Sequence, residues 1–192
     1  MFTGKDCTSS FKRKGNVASL KKLEKTPGFH KCFQQLGDSW NVNADVLKEV
    51  KKFTYLMYEQ SRETSVDGAR VKLLRKMVGD SEKLTTKSKV DVDRLPPCYS
   101  ALKPHVHRVN HHVALYKRAH QAIVENPKPY EEGRGWLRND SNNMPQLIWS
   151  CGGILPTALV GILETTANED NGDDDETGGE DDDYVFDSDD EE

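Results

Sequence analysis

Apolar positions return at helical spacing in three stretches of this 192-residue chain. Asn43 is a good N-cap for a helix running to about Glu59, because Val46, Val50, Phe53 and Met57 step by four, three and four and so share one face. Leu47 and Tyr58 lie beside that face. A second helix is predicted from near Ser65 to Gly79, with Ala69, Leu73, Leu74 and Met77 turned inward. The strongest pattern runs from about Ser100 to Glu125, where Leu102, Val106, Val109, Val113, Tyr116 and Ile123 form one stripe ended by Asn126-Pro127-Lys128-Pro129. Weaker signals flank these. A short, lysine-rich helix fits residues 18–25, stopped by Pro27-Gly28. A short strand fits Gln146–Trp149, and Pro156–Glu164 suits a last helical turn or two with proline first.

Residues 80–94 are polar and aperiodic, which predicts a mobile loop closed by Leu95-Pro96-Pro97. The expected fold is therefore mainly α: a small helical domain with an incomplete core and a disordered acidic C-terminal tail. Four segments follow: a basic stretch over 1–30, a helical region over 31–125, a loop, strand and terminal helix over 126–164, and the tail over 165–192. The tail cannot bury enough apolar surface to offset its ordering entropy.

Charge sharpens the division. All 27 Lys and Arg lie in residues 1–164, which carry net +10, while residues 165–192 hold 15 acids and no base. The overall −5 conceals a basic body joined to a polyanion. Cys7, Cys32, Cys98 and Cys151 are far apart, with no pair at metal-binding spacing, and read as reduced intracellular thiols. Residues 1–20 lack the apolar segment of a secretory leader, and the longest mostly apolar run, Ile148–Leu163, is broken by glycine and proline and too short to span a bilayer. No membrane role is expected.

Five histidines, His105, His107, His111, His112 and His120, crowd the long helix. His107 and His111 stand one turn apart on the side away from the apolar stripe, and His105 and His112 flank it. Two ligands at that spacing supply half of a tetrahedral zinc site, with no third nearby, so these read as solvated or core-edge histidines. No nucleophile elbow, triad spacing or phosphate-cradling glycine loop is present, and an enzyme complete in this chain is not expected.

The opening, FTGKDCTSSFKRKGNVASLKKLEK, holds chemistry of another kind. Between Gly4 and Lys31 there are eight bases and two acids around a turn rich in Gly, Ser and Thr. Backbone N–H groups at a helix entrance beside lysines can hold a phosphate without reading sequence. Lys12, Arg13, Lys14, Gly15, Lys21 and Lys22 are the candidate nucleic-acid-binding residues.

This stretch resembles the segment of flap-endonuclease-like (PIN-like) nucleases that runs from a G-[SC]-D-Y motif into a helix–hairpin–helix turn. Gly4 and Asp6 fall on the motif's Gly and Asp, Ser10 on its serine, Gly15 on the second hairpin glycine, and Leu20 to Leu23 on the start of the next helix. The resemblance implies a metal-holding role for Asp6, with Mg or Mn as cofactor if the nuclease chemistry is retained, and phosphate contact through hairpin amides. Cys7 replaces the usual Tyr, Lys5 the Ser or Cys, and Arg13-Lys14 the first Gly-Ile, while the family's other carboxylates have no counterpart before Gly4. One carboxylate does not hold a two-metal site, so no cofactor and no catalytic residue is expected.

A wider resemblance rests on FTGKDCTSSFKRKG, CFQQLGDSWNV, FTYLMY, LPPCYSALKPHVHRVN and GRGW. These phrases are similar to the C-terminal part of a group of uncharacterised invertebrate mobile-element-associated proteins, in which a nuclease-like core precedes this helical region and a cysteine-rich segment often ends the chain. The implied reading is a truncated, non-catalytic relative with weak sequence-independent nucleic-acid binding; an intracellular location is expected, with the nucleus as one candidate compartment. The alternative is a protein-interaction module that binds basic partners through the tail. There, Ser188 and Thr177 precede acids as acidophilic kinases require, and Tyr184-Val185-Phe186 is the one apolar cluster.

Overall fold

The computed structural model describes residues 2–4, 11, 13–78, 94–123, 127–131 and 134–152. All of them fall within one unit of chain, Met1–Thr157. Asp6, Lys12, the loop expected over 80–94, the terminal turn expected over Pro156–Glu164 and the acidic tail lie outside the described residues, save that Arg94 is described.

The described fold is mainly helical. In order it comprises α1 (Asn16–Glu24), a single 3₁₀ turn (Pro27–Phe29), α2 (His30–Gln35), α3 (Ala44–Met57), α4 (Val66–Val78), α5 (Tyr99–Arg118), and strands β1 (Trp136–Arg138) and β2 (Pro145–Leu147). No described helix is long and apolar enough to cross a membrane.

Local chemistry explains the boundaries. The Asn43 side chain accepts the Asp45 amide at 2.8 Å and so caps α3. At the other end Glu59 takes a left-handed φ of 61°, its amide reaches the Leu56 carbonyl and the Gln60 amide reaches back to Tyr55, which closes a Schellman motif without glycine. Ser65 caps α4 by accepting the Gly68 amide at 2.9 Å. Asp67 in the first turn of α4 accepts the Tyr99 amide at 2.9 Å, so one helix caps the start of the next.

The core lies where α2, α3 and α5 meet. Val50, Phe53, Leu102 and Val106 are fully buried there, each contributing roughly 1.5–3 kcal/mol by leaving water. Phe2 and Phe11, from the basic opening segment, join this core: Phe2 makes edge contacts with Phe11 and Phe33 at 5.1 and 5.4 Å.

Helix α5 departs from the single-stripe expectation. It stops at Arg118, Tyr116 is 55% exposed and Ile123 88% exposed, so the stripe loses its cover beyond Val113. Instead the helix is buried on two sides. Leu102, Val106 and Val109 face α3, while Pro104, Arg108 and His111, about 180° away at 100° per residue, face the β-hairpin and the 36–41 turn. His105 and His111 are accordingly buried, a correction for His111, which the stripe placed outward.

Proline helps to dock the hairpin. Lacking an N–H, Pro104 leaves the Ser100 carbonyl without its helical partner, and that carbonyl accepts the Cys151 amide at 2.8 Å. Arg108 donates to the carbonyls of Gly135 and Ile148, on the two chain ends that flank the strands. Trp136 pairs with Leu147 and Arg138 with Pro145 in an antiparallel register. Strand β1 and helix α2 were not anticipated. Both are too short to display a period.

Candidate nucleic-acid interface

The residues leading into α1 form a tight turn. The Phe11 amide donates to the Thr3 carbonyl at 3.1 Å, and the Lys14 amide to the Phe11 carbonyl at 3.0 Å. Inside that turn Arg13 adopts φ 60°, a left-handed conformation costly for a residue with a side chain, at the position where the resembled hairpin has glycine. Gly15 follows in extended conformation (φ −64°, ψ 162°) as N-cap of α1, and space around its Cα is open. Nothing about that backbone requires glycine.

This helix start suits an anion. Its N-cap, Gly15, brings no side-chain cap and its first turn holds no acid, so the positive end of the helix carries no negative side chain of its own. The side-chain oxygen of Asn16 is engaged elsewhere, accepting the Thr3 hydroxyl. Cations surround the helix, with Arg13 exposed before it and Lys21 and Lys25 exposed on its outer side.

The structure places the candidates unevenly. Arg13, Lys14 and Gly15 sit together at the α1 entrance, whereas Lys21 and Lys22 occupy its last turn. Lys14 is half-buried, with Nζ 5.0 Å from the centre of the Tyr58 ring, so its ammonium is held against the end of α3. Lys22 is half-buried on the flank of α1. Among the described residues no group of three His, Cys, Asp or Glu side chains could hold a metal ion such as Mg or Mn.

A second cluster escaped the sequence reading. His111 lies between Trp40 and Trp136, with ring centres 5.6 and 5.3 Å away, and His112 reaches the same Trp136 at 5.7 Å. Burial, reinforced by His112 and Arg134, pushes the His111 pKa down to about 4, so the ring is neutral at pH 7. His105 is also held down at about 4, chiefly by burial, although its Nε2 donates to the Phe2 carbonyl at 2.7 Å.

Neighbouring Asn110 is fully engaged. Its oxygen accepts the Gly37 amide at 2.8 Å and its amide donates to the carbonyls of Ser39 and Trp40. Arg118 donates to Gly37 and Asp38 carbonyls and stacks 4.7 Å from the Trp40 ring. These bonds make the cluster a clamp joining α5 to the 36–41 turn and the hairpin. A histidine one turn from another gives no sign of this. Two tryptophans distant in sequence had to be brought to it.

Comparison with protein-family models, with curated proteins and with solved structures finds no match for this chain.

Proposed function

We propose that this chain binds nucleic acid weakly and without regard to sequence, as a non-catalytic relative of mobile-element nuclease-like proteins. The observation that carries the reading is the uncapped start of α1, with Arg13 before it and Lys21 and Lys25 along its outer side. Phosphate oxygens accept from the leading amides of α1, and the cations add attraction that falls with salt.

The test compares the full chain with the Lys21→Glu/Lys22→Glu variant for binding to a labelled duplex of arbitrary sequence. Affinity should drop at least tenfold in the variant, equally for two unrelated duplexes, as expected when the Lys21 phosphate contact becomes repulsive and a second negative charge is added beside it. Equal affinities for both proteins overturn the proposal.

The charge division favours a second reading, in which residues 165–192, with 15 acids and no base, capture a basic protein. Removing that segment would then abolish retention on immobilised histone-like polycations. Retention unchanged by the truncation removes this reading.

A further inference from the structure

Nucleic acid approaching α1 meets two opposite fields on one chain. Residues 1–164 carry net +10, whereas residues 165–192 hold 15 acids and no base. The first field attracts a polyanion and the second repels it. Their sum, −5, has the wrong sign for a protein that holds phosphate through exposed cations. At the helix itself those cations are Arg13 before it and Lys21 and Lys25 on its outer side, and no acid stands in its first turn.

Attachment to the same chain gives the acids their weight. Twelve residues separate Gly152 from Thr165. At about 3.5 Å per residue they span at most about 45 Å, comparable with the diameter of a domain of roughly 150 residues. A segment tethered at that range has an effective concentration of about 1 mM, however dilute the protein. Screening does not abolish its influence at low salt, since the Debye length is about 14 Å at 50 mM.

Both polyanions satisfy the same cations by the same chemistry, which reads charge and no sequence. Non-specific nucleic-acid binding has dissociation constants of about 10⁻⁴ to 10⁻⁶ M at physiological salt. A tethered competitor at the weak end of that range, at about 1 mM, weakens duplex binding roughly tenfold.

We propose that residues 165–192 are an electrostatic brake on nucleic-acid binding at α1, competing with phosphate through their charge and not through their order in sequence. The inference rests on the nucleic-acid reading and supplies its regulation. Neutralising the acids raises duplex affinity, and phosphorylation of Ser188 or Thr177 lowers it further.

Three full-length chains are compared by fluorescence anisotropy on one labelled duplex at about 50 mM salt, where such contacts are strong. They are the wild type, a chain with every acid of 165–192 replaced by Asn or Gln, and a chain with that segment scrambled. The neutralised chain should bind at least tenfold more tightly than wild type, and the scrambled chain should match wild type. In a Lys21→Glu/Lys22→Glu background the gain from neutralisation should shrink, because fewer cations remain to compete for. Equal affinity of the wild-type and neutralised chains overturns the brake and leaves the nucleic-acid reading standing. A scrambled chain that binds like the neutralised one also overturns it, as does a gain that the lysine changes leave intact. Binding by none of the three chains removes both the brake and the reading beneath it.

Discussion

Replacing Gly15 by aspartate separates stability from binding in one substitution. The position accepts a side chain: φ is −64°, ψ is 162°, and a Cβ would meet nothing within 4 Å. Aspartate is among the best N-caps, and its carboxylate would accept the amides that now lead α1. Capping contributes about 1 kcal/mol, and the charge at the positive end of the helix about another 0.5 kcal/mol. The expected gain of about 1–2 kcal/mol would move a urea midpoint up by about 0.5–1 M at an m-value near 2 kcal/mol/M. The same carboxylate would displace and repel phosphate. Affinity for a labelled duplex should therefore fall about tenfold or more, the worth of a charge-assisted hydrogen bond. The slope of log affinity against log salt should shrink by about 0.9, one phosphate's share. Fluorescence anisotropy over a salt series, run beside urea unfolding monitored by circular dichroism, reads both effects. A variant that is more stable yet binds with unchanged affinity and slope would refute the reasoning, because it would show that no phosphate sits at the α1 entrance.

Further substitutions test the frame that holds the interface. Gly135→Ala should destabilise by about 2–4 kcal/mol in urea unfolding, since φ there is 85° and a Cβ would lie 2.6 Å from the Pro104 carbonyl and 2.8 Å from Arg108 Cγ. Glu59→Gly should stabilise by about 0.5–1 kcal/mol, because relief of the left-handed strain at the α3 terminus exceeds the added chain entropy. Protonation should also matter. His105 and His111 ordinarily titrate near 6.5 but are held near 4 in the fold, so the unfolded chain binds more protons between those values. Their contribution is complete above about pH 6.5 and is lost as pH falls toward 4. His111→Phe, which keeps a ring between Trp40 and Trp136, should flatten the fall in unfolding free energy between pH 7 and 4. An undiminished fall would show that His111 does not titrate as its burial requires.

Much of the helical frame was legible because local signals agreed with tertiary need. Asn43, the Val46–Val50–Phe53–Met57 series and Ser65 set α3 and the start of α4 within a residue or two, since capping and periodicity are written locally. The end of α5 was not. Tyr116 and Ile123 continue the apolar period but are exposed, and periodicity alone cannot tell a covered face from a bare one. His111, placed outward by the stripe, misled for the opposite reason, and Arg108 and Asn110 show the same effect. Their polarity suggests solvent, yet each is buried because backbone carbonyls of Gly135, Ile148, Ser39 and Trp40, and the rings of Trp40 and Trp136, come to meet them from far along the chain. At the interface the excess of cations was plain from composition. The stacking of Lys14 on Tyr58 depends on how α1 lies on the core, which no local pattern encodes.

Salt titration of the wild-type chain on a single labelled duplex addresses the proposed phosphate grip most directly. Expected is measurable binding at about 50 mM salt whose logarithm declines linearly with log salt, with a slope near −3 for the three or so contacts that Arg13, the α1 amides and Lys21 would make. Absence of binding at that salt, or an affinity indifferent to salt, would contradict it.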